Sequence, residues 1–286
     1  MNIYTRTARF DGEGRALTED ELHKLAPSIF ATQAHESRST LFKPIPTIDV
    51  LRDLAKEGFY PVGVKQAVAR QPGRADYTKH LIRLRHLGDE VKHNVGGTVF
   101  EMLLKNANDG TSAYDLMGGL FRILCMNSMV SEISTVDTLR VRHTGDTAAK
   151  VVEGTYRVLQ TAERALTAPQ DWPKIMLEDA ERQAFAESAH QLRFADAEGK
   201  VTTPVVAEQL LFPRRLDDRE HDLWKTFNVV QENAMKGGLT GVKRDPERHR
   251  MRRVTTRAVK GIDQDVRLNR ALWTLAARMA EIKQAA

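Results

Sequence analysis

The chain has a single cysteine, Cys125, among its 286 residues. One thiol excludes an intramolecular disulfide framework and any zinc site built from several cysteines, and it agrees with a reducing compartment. The sequence also lacks a run of about 18 apolar residues, the length that a membrane span needs, and its start lacks the apolar centre of a secretion signal. These absences predict a cytoplasmic protein without structural zinc.

Sequence motifs of catalysis are equally scarce. There is no phosphate-binding P-loop, no dinucleotide-binding glycine fingerprint, no HExxH and no GxSxG. Cys125 has apolar neighbours in FRILCM, and we interpret it as an inert buried thiol rather than a nucleophile.

Candidate metal ligands are present but scattered. Asp109 and Asp115 could bind a metal ion together with Glu101, as nuclease carboxylates do, although a turn role for Asp109 is favoured. His80 and His86 would lie about 20 Å apart along one strand, too far to share a metal. We therefore expect no metal and no cofactor, and a non-catalytic protein is favoured over an enzyme.

Capping residues and apolar periodicity in the first part of the chain predict helices followed by strands. One helix begins at the capping-box sequence TEDE, and a second occupies residues 47–58. From Phe59 the apolar period changes to two, which is typical of a half-buried strand. The α+β class follows, with an antiparallel β-sheet region from about Phe59 to about Val141 and helices packed on one face.

Two alternating segments, YPVGVKQAV and YTKHLIRLRHLG, predict a β-hairpin. The second segment places its cations, Lys79, Arg83 and Arg85, on the face opposite Ile82 and Leu84. This alternation predicts a hairpin with a cationic outer face.

The apolar run GTVFEMLLKN predicts a third strand that is buried on both faces. Asn108-Asp109-Gly110 then predicts a tight turn, because these residue types tolerate positive φ. TSAYDLM would be the returning strand, and the glycine pair 118–119 would break it before GLFRILCMNSMV, which is either a buried helix or another strand.

After residue 145 the periodicity is helical. Helices are predicted in DTAAKVVEGTYRVLQTAERAL, PKIMLEDAERQAFAESAHQLRF and DDREHDLWKTFNVVQENAMKGG, and from Asp263 to Lys283. We therefore divide the chain into an α+β sheet domain, residues 1–145, and a helical region, residues 146–286, which carries a basic loop at 236–260.

The positive charge is concentrated in that basic loop. Residues 236–260 contain nine Lys or Arg against two acids, a surplus of seven that exceeds the net charge of +5 for the whole chain. Such a segment predicts a mobile loop that binds nucleic-acid phosphates, with a solvated linker as the alternative. The predicted contacts in this loop are Lys243, Arg244, Arg248, Arg250, Arg252, Arg253 and Arg257, and the cations of the hairpin would extend the surface.

Several blocks of the sequence are specific enough to indicate a family. They include APSIFATQAHESRS, YTKHLIRLRH, NANDGTSAYDLMGGLFRILCMNSMV, LWKTFNVVQENAMKGGL and TRAVKGIDQDVRLNRALW. On these blocks the chain resembles plasmid- and prophage-encoded proteins of the domain of unknown function 932 family, of the YafZ, YfjQ and YubP type. The resemblance implies a setting on mobile elements, beside single-strand binding, recombination and anti-defence functions, and no settled activity.

The resemblance also singles out one motif of unknown role. The Asn-Ser-His-Asp-Gly-Thr-Ser pattern that is usual in the family is present here as Asn106, Ala107, Asn108, Asp109, Gly110, Thr111 and Ser112. Asn108 replaces the usual histidine, which argues against histidine-based acid–base or metal chemistry at this turn. Together with Arg122 and Asn127, these polar groups either brace the turn or face a ligand, and bracing is slightly favoured.

The order helix, hairpin, third strand, helix is also that of the core of Rad52-like single-strand annealing proteins, an analogy of fold alone. The leading hypothesis is a non-catalytic, oligomeric DNA-binding protein of a plasmid or prophage that holds single-stranded DNA and supports annealing or recombination. One alternative is an anti-defence protein that binds a host restriction or immunity protein, and a second is a metal-dependent nuclease.

Overall fold

The computed structural model describes residues 15–69, 71, 73–86, 98–122, 127–129, 139–141, 143, 167–244 and 250–285, together with 6–7, 154 and 158. The chain forms two compact units, residues 1–166 and 167–286. Cys125, Arg248 and most of the helix predicted in DTAAKVVEGTYRVLQTAERAL lie outside the described residues.

The first unit is built on one antiparallel sheet. Its strands are β1 (Arg6–Thr7), β2 (Phe59–Gln66), β3 (His80–His86), β4 (Thr98–Asn106), β5 (Tyr114–Arg122), β6 (Asn127–Met129) and β7 (Leu139–Val141). The spatial order is β1-β2-β3-β4-β5-β6, and β7 pairs with another stretch of β5. The α+β class is confirmed, and β2 and β3 form the predicted hairpin.

Two helices cover one face of this sheet, α1 (Glu19–Leu25) and α2 (Thr47–Lys56). The capping box predicted at the start of α1 is present. Because side chains alternate along a strand, β3, β4 and β5 contribute alternate residues to the shared core, in the pairs Ile82 and Leu84, Met102 and Leu104, and Tyr114 and Leu116. The buried core includes Leu22, Ile29, Ile48, Leu51, Leu54, Val64, Ile82, Leu84, Met102, Leu104 and Leu116.

The prediction that the glycine pair would break β5 is wrong. Gly118 lies opposite Met102 and Gly119 opposite Glu101, and pairing continues to Arg122. Each glycine costs a strand about 0.5–1 kcal/mol, and the pairing with β4 on one side, joined by β6 and β7 on the other, outweighs that cost.

The opposite face of the sheet carries buried charges. Glu101 of β4 is 0% exposed, and its carboxylate accepts from Arg83 Nε at 2.5 Å and from Arg85 Nη2 at 2.5 Å. Further along the same face, Lys105 Nζ lies 2.9 Å from Asp115 Oδ2. A buried carboxylate without such partners would be strongly unfavourable.

The cationic outer face predicted for the β2–β3 hairpin is therefore wrong for two of its three cations. The side chains of Arg83 and Arg85 are only 13% and 5% exposed, and both are bound to Glu101. Lys79 precedes β3 and is half-buried. The alternation of these residues was correctly predicted, but the cations face protein rather than solvent.

On the helix-covered face, a chain of hydrogen bonds passes through His80. Asn106 Nδ2 donates to Thr47 Oγ1, which lies 2.9 Å from His80 Nε2. His80 Nδ1 lies 2.8 Å from Ser28 Oγ, and Ser28 donates to Gln66 Oε1. Since the serine hydroxyl gives its only proton to Gln66, we infer that His80 carries its proton on Nδ1 and accepts from Thr47 at Nε2. Burial lowers the pKa of His80 to about 4, so this ring is neutral at pH 7.

The second unit consists of helices and one hairpin. Its elements are α3 (Ala168–Asp171), α4 (Asp179–Phe194), α5 (Leu223–Lys236), β8 (Thr240–Arg244), β9 (Met251–Thr255) and α6 (Ile262–Ala285), with short 3₁₀ turns between α4 and α5. Trp172, Trp224, Phe227 and Trp273 pack together, with ring centroids 4.6–6.1 Å apart. The helices predicted around α4, α5 and α6 are confirmed.

Replacing Glu101 tests the buried charge cluster. We expect Glu101→Gln to lower the free energy of unfolding by about 3–5 kcal/mol, because two buried guanidinium groups lose their counter-charge. Chemical denaturation gives the value. Asp53→Asn is the control, since Asp53 pairs with Lys56 on the surface and its loss should cost less than about 1 kcal/mol. Equal effects of the two substitutions would contradict this account of Glu101.

The neutral state of His80 predicts a pH dependence. Its pKa in the folded chain, about 4, lies below the value of about 6.5 in an unfolded chain. The unfolded state therefore binds more protons between these values, and stability falls as pH drops through this window. Wild type should lose about 2 kcal/mol more than His80→Gln between pH 7 and pH 5, as measured by denaturant titration. Equal losses of stability in wild type and His80→Gln would refute the neutral state assigned to His80.

Candidate nucleic-acid interface

The basic segment forms a β-hairpin. Strands β8 and β9 pair in register from Thr240 opposite Thr255 to Arg244 opposite Met251. The prediction of a mobile loop is wrong for these strands. Composition indicated disorder because the segment has few apolar residues, but backbone pairing does not require them, and the base of the hairpin is held by residues distant in sequence.

Hydrogen bonds tie the base of this hairpin to the rest of the second unit. Leu239 and Thr256 close the ladder through their backbones, with Thr256 N donating to Leu239 O at 2.8 Å. Gln209 Nε2 donates to Thr240 O at 2.9 Å, and Arg193 Nη2 donates to Arg257 O at 2.9 Å. The hairpin is thus an arm that extends from an anchored base.

Exposed cations cover this arm. Lys243, Arg244, Arg250, Arg252 and Arg253 are all exposed. Within the part of the chain that the structure describes, none of the five makes an ion pair or a side-chain hydrogen bond. Lys243 also lies directly opposite Arg252. Like charges in such a pair destabilise a sheet, and an anion between them would remove the repulsion.

The two faces of the arm differ in chemistry. Alternation places Lys243 and Arg252 on one face with Gly241, where an added Cβ would meet the backbone of Pro204. The other face combines Arg244 and Arg253 with Val242 and Met251, whose exposed fractions are 55% and 69%. That face offers both charge and apolar surface to a partner.

The remaining predicted contacts lie outside the two strands of the arm. Arg257 follows β9 and is exposed. Lys79, Arg83 and Arg85 belong to the first unit, where Glu101 occupies both arginines. The structure therefore brings together Lys243, Arg244, Arg250, Arg252 and Arg253, and it does not add Arg83 or Arg85 as free charges.

The motif of unknown role braces the fold. Asn108 Nδ2 donates to Ala31 O at 3.2 Å, and Ile45 N donates to Asn108 Oδ1 at 3.3 Å. Asn106 Nδ2 also donates to Ile45 O. These buried amides hold the extended segment before α2 against the turn. Arg122 and Asn127 lie opposite each other in the β5–β6 pair.

The turn itself closes with its own polar groups. Gly110 has φ of 78°, as the sequence predicts, and Ser112 Oγ donates to the carbonyl of Ala113. Thr111 donates from its backbone N and its hydroxyl to Asp109 Oδ1, at 3.0 and 2.6 Å. Asp109 therefore has a structural partner, as Glu101 and Asp115 do. Among the described residues, no three histidine, cysteine or carboxylate side chains converge as metal ligands.

Sequence reasoning overlooked the apolar part of the arm. Charged residues outnumber apolar ones in this segment, so its composition does not indicate an apolar surface at Val242 and Met251. A signal was present: TGVKR and MRRVT each contain β-branched residues, and Asp245-Pro246 between them is a turn-forming pair. Among the described helices, none has the length and apolar character that crossing a membrane requires.

Comparison with known proteins agrees with the resemblance. The model of the family "Domain of unknown function (DUF932)" matches residues 34–273. The chain is 42% identical over 262 residues to UPF0380 protein YafZ of Escherichia coli (strain K12), covering 92% of this chain and 91% of that protein. UPF0380 protein YfjQ of the same organism matches with the same identity and coverage. No solved structure matches significantly. The chain therefore belongs to the DUF932 family.

Proposed function

We propose that this protein is a non-catalytic DNA-binding protein whose β8–β9 arm grips the phosphate backbone, with single strands preferred. The observation that carries the proposal is the group of exposed cations, Lys243, Arg244, Arg250, Arg252 and Arg253, which have no acidic partner among the described residues. Protein surfaces usually intersperse the two signs of charge, and an arm with a large surplus of positive charge attracts polyanions.

The energetics favour an extended anion over a small one. Each phosphate that a cation neutralises releases condensed counterions, so several contacts along one strand add up. The repulsion between Lys243 and Arg252 is relieved at the same time. Five contacts would give a salt slope of about −3.5 on single strands.

The arm face that carries Arg244, Arg253, Val242 and Met251 supports the preference for single strands. Unstacked bases expose flat apolar surfaces, which guanidinium groups and aliphatic side chains can cover. Arg244 and Arg253 supply the guanidinium groups, while Val242 and Met251 supply exposed aliphatic surface. A two-stranded ribbon also fits the major groove of duplex DNA, which makes duplex the necessary comparison.

The family resemblance implies a setting on mobile genetic elements, in which binding of single-stranded DNA would have a role. On plasmids and prophages, a protein that holds single strands would support annealing or recombination of incoming DNA. The Rad52-like analogy stays a prediction.

A salt series with a charge-matched control tests the proposal. The arm variant is Lys243→Gln, Arg252→Gln, Arg253→Gln, and the control is Lys174→Gln, Lys200→Gln, Arg278→Gln, which removes the same charge from exposed positions elsewhere in the second unit. Affinity for single- and double-stranded DNA is measured by fluorescence anisotropy. We expect the salt slope of the arm variant on single strands to fall by about two, and that of the control to stay near wild type.

Equal losses in both variants would show that only net charge matters and would overturn the role of the arm. Tighter binding of duplex by wild type would refute the strand preference. Absence of salt-dependent DNA binding would refute the proposal and direct attention to a host protein partner.

A further inference from the structure

The second unit contains a cavity of about 780 Å³ between α4, α5 and the segment 208–221 that connects them. This volume is in the range of small-molecule sites. Its wall includes four arginines, Arg182, Arg214, Arg215 and Arg219, and an apolar portion that includes Phe212 and Val229. The cavity lies within one unit and shares no lining residue with the β8–β9 arm.

The wall of this cavity is rigidly built. Asn233, 2% exposed, donates to the carbonyls of Leu210 and Phe212 at 2.9 Å and accepts from Arg214 Nε at 2.7 Å. Arg215 donates through both terminal nitrogens to Glu232, at 2.6 and 2.7 Å. These bonds fix the connecting segment against α5.

The charges around the cavity do not cancel. The lining contains three acids, Glu208, Asp218 and Glu220, of which Asp218 and Glu220 pair with Arg215 and Lys225. Within the described residues, Arg214 is bound only to uncharged acceptors, Asn233 Oδ1 and the carbonyl of Gly237. Arg219 is exposed and has no ion pair or hydrogen bond within the described residues. Four arginines against three acids leave the lining with one positive charge in surplus, which favours an anion.

Two polar atoms of the wall have no hydrogen-bond partner. Thr226 is 2% exposed, yet its Oγ1 is bonded to nothing in the described structure. Arg182 Nη1 lies 3.4 Å from Asp179 Oδ1, but the buried Nε of the same guanidinium has no partner in the described structure. Both residues line the cavity. Buried polar groups without protein partners are rare in folded proteins, and a water, an ion or a ligand that bonds them is the usual explanation.

We propose that this cavity binds a phosphate monoester of nucleotide size. The phosphate is held by Arg219, Arg182 and the hydroxyl of Thr226, because guanidinium and hydroxyl groups donate to phosphate oxygens. Phe212 lines the same cavity with an exposed ring on which a base can stack. The monoester belongs either to a free nucleotide or to the 5′ end of a strand.

Calorimetric titration of the full chain tests this site with adenosine 5′-monophosphate, and adenosine serves as the probe without phosphate. We expect wild type to bind the monophosphate and not adenosine. Thr226→Val and Arg219→Gln should each weaken binding about tenfold. Arg278→Gln, which removes a surface charge outside the cavity, should bind as wild type does.

Thr226→Val separates a ligand role from a structural one. Because the hydroxyl has no partner in the protein, the valine variant should have an unchanged or higher Tm while it binds the nucleotide less well. A lowered Tm together with unchanged nucleotide binding would contradict the proposal.

Comparing 5′-phosphorylated and 5′-hydroxyl strands of the same sequence identifies the source of the monoester. Stronger binding of the phosphorylated strand, lost in Arg219→Gln, would support a strand end, and binding of the free nucleotide would support a small molecule. The variant Lys243→Gln, Arg252→Gln, Arg253→Gln should keep nucleotide binding, so the two proposals fail separately. Binding of neither probe with a Kd below about 1 mM would overturn this inference.

Discussion

Neutralisation of the buried Glu101 carboxylate is the constraint on which the first unit depends. This side chain is 0% exposed in the central strand β4, and it requires cations within hydrogen-bond distance. Arg83 and Arg85 on the neighbouring strand meet that requirement, and both become part of the interior. The same charges are then unavailable to a partner. Cations at the β8–β9 arm have no such role, and their exposed positions leave them available to a partner.

Much of the sheet could be predicted from the sequence because alternation is a local property. The β2–β3 hairpin, the buried β4 and the turn at Asn108 all follow from period and residue type. Alternation does not show whether solvent or protein covers each face of the sheet. Arg83 and Arg85 have the same pattern whether they face water or a carboxylate that follows 16 residues or more later in the chain. The exposed face was therefore wrongly predicted.

Contacts between distant residues account for the other differences. Composition favoured a mobile loop at 236–260, but the bonds from Gln209 and Arg193 that anchor the arm come from elsewhere in the chain. The cavity in the second unit depends on Asn233 and Glu232 holding a connecting segment that has no periodicity of its own. The amides of Asn106 and Asn108 likewise bond a segment that is distant in the sequence, the extended stretch before α2.

The central claim is that the β8–β9 arm contacts DNA. Ultraviolet cross-linking of the full chain to a short oligothymidine, followed by mass spectrometry of the linked peptides, tests it most directly. The account predicts cross-links in peptides that contain residues 240–244 and 250–255, with loss of these links at high salt. Cross-links confined to the β2–β3 hairpin of the first unit, or links to the arm that persist unchanged at high salt, would contradict it.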